Sequence, residues 1–479
     1  MDTRADDTGR DRVVIIGGGP GGYEASLVAA QLGADVTVVD SDGLGGSAVL
    51  TDCVPSKALI AIADSYGGLS DTAESLGITA TREGQRPIDI VRVNQRVKQL
   101  ATAQSGDIGR RLAAESVRVI TGTGRLAGPG HVIARTGAPG AEQEEDLVAD
   151  VVLLATGAHP RVLADAVPDG ERILDWTQLY ELPQLPDRLV VIGSGVTGAE
   201  FAGAYQALGS QVVLVSSREQ VLPSEDNDAA GVIERAFTSM GMQVLSRSRA
   251  ASVERTADGV LVRLTDGRSV EGSHALLAVG SIANTADLGL AESGVRTDEA
   301  GFIVVDRVSR TSQRGVYAAG DCTGVSMLAS VAAMQGRIAM FHALGDAVQP
   351  LSLRSVSRNV FTIPEIATVG VSEAEVAEGG LGAVTRMLPL AGNPRAKMLG
   401  ITEGFVKIIA RRGSGTVLGG VVVAPRASEM IHALSLAVKD HLTVDQMASA
   451  FTVYPSLSGS TAEAARQLHR AVAERDRIG

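Results

Sequence analysis

The stretch Val13-Val14-Ile15-Ile16-Gly17-Gly18-Gly19-Pro20-Gly21-Gly22 decides the fold of the first part of the chain. Its four leading apolar residues are typical of a strand that is buried on both faces of a parallel sheet. The glycine run permits a tight turn, and the sequence predicts a helix from Tyr23 to about Leu32 after it. A second strand, Val36-Thr37-Val38-Val39, completes a βαβ unit whose turn offers a helix N-terminus to a pyrophosphate.

The same pattern returns near the middle of the chain. Leu189-Val190-Val191-Ile192 precedes Gly193-Ser194-Gly195-Val196-Thr197-Gly198, and a further apolar run occupies residues 212–215. Strand-like runs that end in glycine, at 150–157 and 275–280, follow the first and the second unit. Two βαβ units of this kind predict an α/β protein with two doubly wound dinucleotide-binding domains.

The chain of 479 residues is long enough for two to four domains. Residues 351–479 contain no glycine loop and alternate strand-like runs, such as Gly404-Phe405-Val406-Lys407-Ile408-Ile409, with amphipathic helices. We therefore predict a first dinucleotide-binding domain at 1–160 and 281–350, a second dinucleotide-binding domain at 161–280 and a C-terminal α+β domain at 351–479.

Composition excludes several functional classes. The chain has 43 basic and 55 acidic residues, a net charge of −12 and no basic stretch, so no nucleic-acid partner is expected. No apolar run approaches the ~18–20 residues of a membrane span, and the polar N-terminus is not a signal peptide. Cys53 and Cys322 are the only cysteines, too few for a disulfide framework. We expect a cytoplasmic protein without a transmembrane segment or metal site.

The residue at the end of the second strand distinguishes the two βαβ units. It lies 23 residues after the first glycine of each loop, and it is Asp40 in the first unit and Ser216 in the second. A carboxylate accepts hydrogen bonds from the ribose hydroxyls of FAD or NAD, whereas Ser216-Ser217-Arg218 can hold a 2′-phosphate. The second unit is therefore expected to favour NADPH, although Arg218 as a solvated surface cation is the alternative.

Further motifs follow in a fixed order along the chain. They are Gly45-Gly46, Pro55-Ser56-Lys57, Gly122-Thr123-Gly124, Ala155-Thr156-Gly157, Glu200 in the second helix, Gly320-Asp321 and Phe361-Thr362-Ile363-Pro364-Glu365-Ile366-Ala367. With the two loops and Asp40, they make residues 12–470 resemble the flavoprotein family of lipoamide dehydrogenase and glutathione reductase, the pyridine nucleotide-disulfide oxidoreductases. The resemblance implies FAD in the first domain, NAD(P)H in the second and a homodimer formed through the third.

The resemblance and the loop chemistry together give the candidate cofactor-binding residues. Those for FAD are Gly17, Gly19, Pro20, Gly22, Asp40, Gly45, Gly46, Lys57, Gly124, Thr156, Gly157, Asp321 and Ala329. Those for NAD(P) are Gly193, Gly195, Val196, Thr197, Gly198, Ser216, Ser217, Arg218, Ala250, Ala278 and Gly280.

The sequence departs from the family at the parts that reduce disulfides. The family has two cysteines separated by four residues just before Pro-Ser-Lys, but Ala48 stands at the first position and only Cys53 remains. Flavin-to-dithiol transfer therefore has no acceptor. Tyr454 stands where the family has an acid/base histidine, and Gly459 where it has the glutamate that orients it. A phenol, whose ordinary pKa is near 10, is a poor proton shuttle at neutral pH.

The flavin side of the family's machinery is intact. The resemblance implies that Lys57 lies near the flavin N5 and pairs with Glu200, so these two are the catalytic candidates. The ammonium would favour negative charge that develops on the reduced flavin. Asp321 would hydrogen-bond the ribityl chain, and the helix that begins near Ala329 would point its positive end at the pyrimidine edge. Cys53 is expected to be a packing residue.

Within the family, this pattern is most similar to the actinobacterial lipoamide-dehydrogenase-like NAD(P)H:quinone reductases. The predicted activity is hydride transfer from NAD(P)H to FAD, followed by electron transfer to a quinone or another small acceptor. Three alternatives stay open at this point: a disulfide reductase that uses Cys53 alone, a pyridine nucleotide transhydrogenase, and a catalytically retired flavoprotein with a binding or sensing role.

Overall fold

The computed structural model describes residues 9–75 and 88–473, with the backbone alone at 68–75 and 470–473. The strands are β1 Arg12–Ile16, β2 Asp35–Asp40, β3 Arg118–Thr121, β4 Thr123–Leu126, β5 His131–Thr136, β6 Gln143–Val148, β7 Val151–Leu154, β8 Ala158–Pro160, β9 Ile173–Asp175, β10 Arg188–Ile192, β11 Gln211–Val215, β12 Gln243–Leu245, β13 Ala250–Arg255, β14 Val260–Leu264, β15 Ser269–Gly272, β16 His274–Leu277, β17 Ser281–Ala283, β18 Val316–Ala318, β19 Ser357–Val360, β20 Glu365–Gly370, β21 Ala383–Pro389, β22 Phe405–Arg411 and β23 Val417–Ala424. The α-helices are α1 Pro20–Gln31, α2 Gly46–Leu50, α3 Cys53–Ser75, α4 Ile90–Ala114, α5 Val196–Leu208, α6 Asn227–Ser239, α7 Ala329–Ala343, α8 Glu373–Gly379, α9 Pro394–Met398, α10 Ala427–Lys439, α11 Val444–Ser449 and α12 Gly459–Ala473.

The first compact unit is drawn from residues up to Ser56, Asn94–Arg161 and Gly280–Leu351. Its centre is a parallel five-stranded sheet in the order β18-β7-β1-β2-β3. Val13 to Ile16 are all buried, as their continuous apolar run predicts for a strand covered on both faces. Helix α1 packs so closely on α7 that a Cβ at Gly336 would lie only 2.1 Å from the Gly21 carbonyl oxygen. An antiparallel sheet β4-β5-β6 and a ribbon β8-β17 complete the unit.

The second compact unit contains Lys57 and the described residues that follow it up to Val93, Val162–Val279, and the chain from Ser352 onward. It holds a second parallel sheet, β12-β11-β10-β16-β9, and an antiparallel sheet, β13-β14-β15. Its C-terminal part is an antiparallel sheet in the order β19-β20-β23-β22-β21, against which α10 and α12 pack. The fold-class prediction, with two parallel sheets and a C-terminal α+β part, is confirmed.

Three of the five junctions between the two units fall after Arg161, Val279 and Leu351, each within one residue of a predicted boundary. Lys57 and the residues up to Val93 group with the second unit, although the prediction assigned them to the first domain. The physical reason is that α3 runs on from Ser56 to residues whose contacts, such as that of Lys57 with Glu200, lie in the second unit. The division into three domains stays a prediction.

One described helical segment, Gly46–Gly67, is long and apolar enough by composition to cross a membrane, although no such run was expected. It carries Lys57, which is paired with Glu200, and one third of its most apolar window is buried inside the protein. Helices of this length and composition also occur in proteins that never enter a membrane, so one such segment is weak evidence for a membrane span.

Candidate dinucleotide and redox site

The first glycine loop forms a tight turn that only glycine permits. Gly17 has φ +104°, and a Cβ there would lie 2.3 Å from the Ala155 carbonyl oxygen. A Cβ at Gly22 would lie 1.9 Å from the carbonyl oxygen of Gly17. Gly19 caps α1, Pro20 occupies its first turn, and nothing lies closer than 4.0 Å to a Cβ built at Gly19. The turn therefore leaves room for a pyrophosphate at the N-terminus of α1, as FAD requires.

Asp40 has a second role that the sequence did not reveal. Its Oδ2 accepts a hydrogen bond from the Gly18 backbone N–H at 2.6 Å. Its Oδ1 accepts from the backbone N–H groups of Asp42 at 3.1 Å and Gly43 at 2.5 Å. A carboxylate has about four acceptor positions, so room remains for a ribose hydroxyl. Asp40 therefore fastens the glycine loop to the following loop, in a place where it can also receive the ribose.

Gly45 and Gly46 lie against the first glycine loop. The Gly45 N–H donates to the Gly18 carbonyl at 2.8 Å. Gly46 has φ +55°, and a Cβ there would lie 2.9 Å from the Cα of Gly19. The structure thus brings the two predicted glycine motifs together, and their backbones approach so closely that a side chain at Gly46 would displace Gly19.

Thr156 and Gly157 follow β7, the strand next to the central strand β1. The Thr156 hydroxyl donates to the Asn284 carbonyl at 2.6 Å, and the Asn284 side-chain amide donates to the Thr156 carbonyl at 2.9 Å. Asn284 was missed by the sequence analysis because it belongs to no motif. Gly124 lies on β4, where an added Cβ would come within 3.1 Å of the Ile16 side chain. Gly124 therefore packs under the end of β1.

Asp321 follows β18 and lies at the start of a short 3-10 turn. Burial, together with the nearby negative charge of Asp52, raises the pKa of Asp321 to about 6. The preceding Gly320 is held by Gln335 of α7, whose side-chain oxygen accepts from the Gly320 N–H at 2.9 Å. Gln335 is another residue that the sequence analysis missed. Ala329, the last FAD candidate, is the first residue of α7.

The second glycine loop repeats the backbone geometry of the first. Gly193 has φ +110°, and a Cβ there would lie 2.2 Å from the Ala278 carbonyl oxygen. A Cβ at Gly198 would lie 1.8 Å from the carbonyl oxygen of Gly193. Gly195 caps α5, has open space around it and precedes Val196-Thr197, the first residues of the helix. The loop fits the pyrophosphate of a nicotinamide nucleotide.

Ser216 lies deeper than the sequence indicated. Its side chain is fully buried, and its Oγ is 2.7 Å from the Ser194 Oγ. The same oxygen accepts a hydrogen bond from the Arg218 N–H at 3.1 Å. Ser217 and Arg218 are exposed. Ser217 and Arg218 would therefore make the direct contacts with a 2′-phosphate. Ser216 would contribute only because it places no negative charge there that would repel the phosphate.

Arg247 is a second cation beside this turn. Its backbone N–H donates to the Arg218 carbonyl at 2.8 Å, and its guanidinium is paired with Glu219. Arg247 lies 29 residues after Arg218 in sequence, which is why no local motif indicated it.

The remaining candidates of the second unit's nucleotide site are Ala250 and Gly280. Ala250 begins β13, and Gly280, with φ +97°, follows the end of β16.

The predicted pair of Lys57 and Glu200 is present. Lys57 Nζ lies 2.8 Å from Glu200 Oε2, and Glu200 is only 3% exposed. The Phe361 backbone N–H donates to Glu200 Oε1 at 2.9 Å, and Lys57 Nζ lies 5.1 Å above the Phe361 ring. Both carboxylate oxygens are thus occupied, and the ammonium is held by a charge-assisted hydrogen bond and a cation–π contact. Such a site can present a fixed positive charge to a reacting group.

The cysteines offer no replacement for the missing disulfide. Cys322 is fully buried, and its Sγ donates to the carbonyls of Leu154 and Ala319. Burial raises the pKa of the Cys322 thiol to about 11, so it is not a thiolate at neutral pH. Cys53 is half-buried at the start of α3, in the position of the family's second cysteine.

The segment between α11 and α12 carries large exposed side chains. Phe451 is 106% exposed, Val453 78% and Tyr454 82%. Gly459, the other departure from the family, begins α12. A cluster of exposed apolar side chains of this kind is typical of an interface with another protein surface. Across residues 9–75 and 88–473, no group of three or more His, Cys, Asp or Glu side chains is placed to hold a metal ion.

Two family models match the chain. Residues 11–336 match the pyridine nucleotide-disulphide oxidoreductase model, and residues 356–465 match the dimerisation domain of the same family. The exposed Phe451, Val453 and Tyr454 lie within the second match.

Individual relatives agree with the family models. A Mycobacterium tuberculosis protein named NAD(P)H dehydrogenase (quinone) is 54% identical over 95% of this chain and 94% of its own length. A dihydrolipoyl dehydrogenase from Zymomonas mobilis is 32% identical over 93% of this chain and 95% of its own. The crystal structure of LpdA from M. tuberculosis superimposes with a TM-score of 0.90 at 53% identity, and covers 96% of this chain and 99% of that one.

Proposed function

The chain belongs to the pyridine nucleotide-disulphide oxidoreductase family, and we propose that it is an FAD-dependent NAD(P)H:quinone oxidoreductase without disulfide-reductase activity. The family prediction made from the motifs is confirmed, and the family implies a flavin and a nicotinamide nucleotide as cofactors. The name of the M. tuberculosis relative supports a quinone as the electron acceptor.

One observation carries the proposal. Ala48 stands where the redox disulfide requires its first cysteine, while both dinucleotide loops keep the geometry that binding demands. Cys322 cannot take the place of the missing thiol, because it is buried as a protonated thiol. The chain thus keeps the parts that load and reduce a flavin, and lacks the part that passes electrons to a dithiol.

Each part of the candidate site has a separate role in the proposed reaction. The N-terminus of α1 binds the FAD pyrophosphate, Asp40 receives the ribose and Asp321 the ribityl chain. Bound FAD supplies the chemistry, since a flavin accepts a hydride from a nicotinamide and passes electrons to a quinone without a thiol. Lys57 stabilises the negative charge that this transfer creates, and Glu200 holds the ammonium in one orientation.

The nucleotide and the assembly are part of the same proposal. NADPH is favoured over NADH, because Ser217 and Arg218 are exposed beside Ser216 and no carboxylate occupies the end of β11. Two chains form a homodimer through the C-terminal part, and Phe451, Val453 and Tyr454 are covered by the partner subunit. The enzyme works in the cytoplasm, with a quinone or a similar small molecule as acceptor.

Steady-state kinetics of the purified protein test the proposal. NADPH and NADH are each assayed against benzoquinones and naphthoquinones, and against lipoamide and glutathione disulfide. We expect quinone turnover with both nucleotides and none with either disulfide. Lipoamide turnover equal to quinone turnover would overturn the proposal.

An anaerobic titration separates the remaining alternatives. We expect one equivalent of NADPH to reduce the flavin fully, without the long-wavelength absorbance of a thiolate next to a flavin. A catalytically retired flavoprotein would keep its flavin oxidised, and an active disulfide would consume a second pair of electrons. Transfer of electrons from NADPH to an NAD⁺ analogue at the rate of quinone reduction would favour a transhydrogenase.

A further inference from the structure

A cleft of about 570 Å³ opens on the first unit beside the start of β18. It is lined by residues 304–306 and 310–317, by Arg296 and by His342. The first glycine loop follows the end of β1. Since β1, β7 and β18 are parallel, the loop lies at the C-terminal ends of the strands and the cleft lies at their N-terminal ends. A ligand in the cleft therefore does not compete with FAD, and its volume is that of an ordinary small-molecule site.

The charge of the cleft opposes that of the whole chain. Arg296, Arg310 and Arg314 line it, and Asp306 is the only acidic residue among the lining residues. Asp306 accepts from Arg310 at 2.7 Å, which fixes that guanidinium in place. Arg296 and Arg314 form no ion pair with any side chain in the described part of the chain. The lining thus carries an excess of two positive charges on a protein of net charge −12.

The floor of the cleft supplies further hydrogen-bonding groups. The hydroxyl of Tyr317 and the Nδ1 of His342 lie 2.9 Å apart, with the two rings in tilted contact at 5.9 Å. Burial raises the pKa of Tyr317, so its hydroxyl stays protonated. Three valines contribute an apolar wall. Two guanidiniums without carboxylate partners, placed around such a floor, suit a ligand that has an anionic group and a compact body.

We propose that this cleft binds a small polyanion, either a phosphate ester or a polycarboxylate. The site is connected to the flavin side of the unit by two elements. Strand β18 leads from the cleft to Asp321, and α7 runs from Ala329 to its last turn at His342. The contact of Tyr317 with His342 joins these two elements inside the cleft. An occupant therefore touches both elements that carry candidate flavin ligands, and shifts the absorbance of bound FAD.

The experiment uses the FAD-loaded protein with saturating NADP⁺, so that both dinucleotide loops are filled. Adenosine monophosphate, inorganic pyrophosphate and citrate are titrated separately by calorimetry, with flavin absorbance recorded in parallel. We expect at least one probe to bind and to shift the flavin spectrum. Tighter binding of the two phosphate-containing probes assigns the site to phosphate groups, with adenosine monophosphate representing the esters, and tighter binding of citrate assigns it to polycarboxylates.

A pair of variants locates the binding. Arg296→Gln with Arg314→Gln removes the two unpaired cations, and both positions are exposed, so folding is not at risk. Arg96→Gln with Arg125→Gln is the matched control, because these exposed arginines of the same unit lie outside the cleft. We expect the first pair to weaken the probe at least about tenfold, since each lost bond to a charged group is worth ~1.5–3 kcal/mol. The control pair should leave binding unchanged.

Three results would overturn the proposal. The first is the absence of binding by every probe at millimolar concentration. The second is equal weakening in both variant pairs, which would mean a general charge effect. The third is displacement of the probe when the NADP⁺ concentration is raised further, which would place the probe at the second glycine loop. Quinone turnover is not needed for any of these readouts, so they are independent of the proposed activity.

Discussion

The two glycine loops of this protein have nearly the same backbone and different surroundings. The first glycine of each has φ +104° or +110°, and its added Cβ would lie 2.3 or 2.2 Å from the carbonyl oxygen of the residue that follows the neighbouring strand. The last glycine of each would clash at 1.9 or 1.8 Å with the carbonyl of the first. Hydrogen-bonding N–H groups and turn sterics are thus the same, so both loops suit a pyrophosphate.

The difference lies in the side chains that surround each loop. Asp40 ties the first loop to its neighbour through three backbone N–H groups, whereas Ser216 is buried beside Ser194. Two residues after the last glycine, both helices carry a glutamate. Glu24 pairs with Arg337 at 2.9 Å, and Glu200 pairs with Lys57 at 2.8 Å.

The comparison assigns pyrophosphate binding to the shared backbone of the loops, and nucleotide choice and redox chemistry to the side chains that differ. In the proposed function, the same backbone geometry would bind the pyrophosphate of either cofactor, and the residues that differ would choose the nucleotide and place the charge. The two glutamates are the clearest case. Arg337 is 42% exposed, whereas the Lys57 pair involves a glutamate that is 3% exposed and also held by Phe361.

The largest effect is expected from a substitution that breaks the Lys57–Glu200 ion pair and leaves the Arg337–Glu24 pair intact. Lys57→Met should slow reduction of the flavin by NADPH, because it removes the positive charge that we propose stabilises the transition state and that Glu200 holds in place. Loss of one such contact costs about 10²–10³ in rate, and the 29% exposure of Lys57 favours the low end. The measurement is stopped-flow bleaching of the flavin, with FAD content checked by absorbance.

Arg337→Met is the matched control for that experiment. It removes the cation from the equivalent glutamate, Glu24, in a partly exposed pair worth at most about 1 kcal/mol. Its rate of flavin reduction should equal that of the wild type. Equal slowing by both variants would mean that Lys57 is a structural ion pair and has no part in the chemistry.

Alanine at the last glycine of each loop should separate the two cofactors. Gly22→Ala forces the backbone apart in the first loop, so the protein should be purified with little FAD. Gly198→Ala does the same in the second loop, which is not the FAD loop, so FAD should be retained. The value of kcat/KM for NADPH should fall on the order of 10²-fold, because a misplacement of the substrate by about 1 Å has an effect of that size on the rate. FAD content and NADPH kinetics measure the two effects. Loss of FAD from Gly198→Ala would contradict the assignment of the loops.

The first unit should show a pH dependence that comes from Asp321. Burial gives this carboxyl a pKa of about 6. In the proposed FAD complex, a ribityl hydroxyl would donate to its ionised form. Protonation below pH 6 therefore opposes FAD binding, and the FAD dissociation constant should rise about tenfold from pH 7 to pH 5. Asp321→Asn should flatten this dependence.

NAD⁺ binding provides the comparison for this pH dependence. None of the candidate nucleotide-binding residues in the second unit is a carboxylic acid, so the NAD⁺ dissociation constant should stay level over the same range. Fluorescence titration at each pH measures both ligands. A tenfold change for NAD⁺ as well would point to a global effect of pH on the fold.

The smallest expected effect concerns the choice of nucleotide. Ser216→Glu places a negative charge beside the 2′-phosphate, and repulsion should shift the ratio of kcat/KM values roughly tenfold toward NADH. Arg218→Gln should move the ratio in the same direction, because it removes a cation. Ser194→Ala controls for disturbance of the buried hydroxyl pair. A wild type that ignores NADPH, with variants that change nothing, would contradict the specificity argument.

The sequence predicted more of the backbone than of the side-chain environment. The strands, both loops and the helices after them appear within a few residues of their predicted positions, and the pairing of Lys57 with Glu200 is confirmed. Three contributors were missed, namely Asn284, Gln335 and Arg247, because each acts through a contact with a residue far away in sequence. The burial of Ser216 was missed for the same reason.

The sequence by itself determined the two dinucleotide loops and the loss of the disulfide. Apolar runs, glycine spacing and the alanine at position 48 are properties of contiguous residues, and turn sterics act over that same short range. Only the tertiary structure decided that Asp40 fastens two loops, that Ser216 is inaccessible and that three arginines surround a cleft at the far edge of the first sheet. Those facts depend on which distant residues the fold brings within hydrogen-bond range, and no local pattern encodes that.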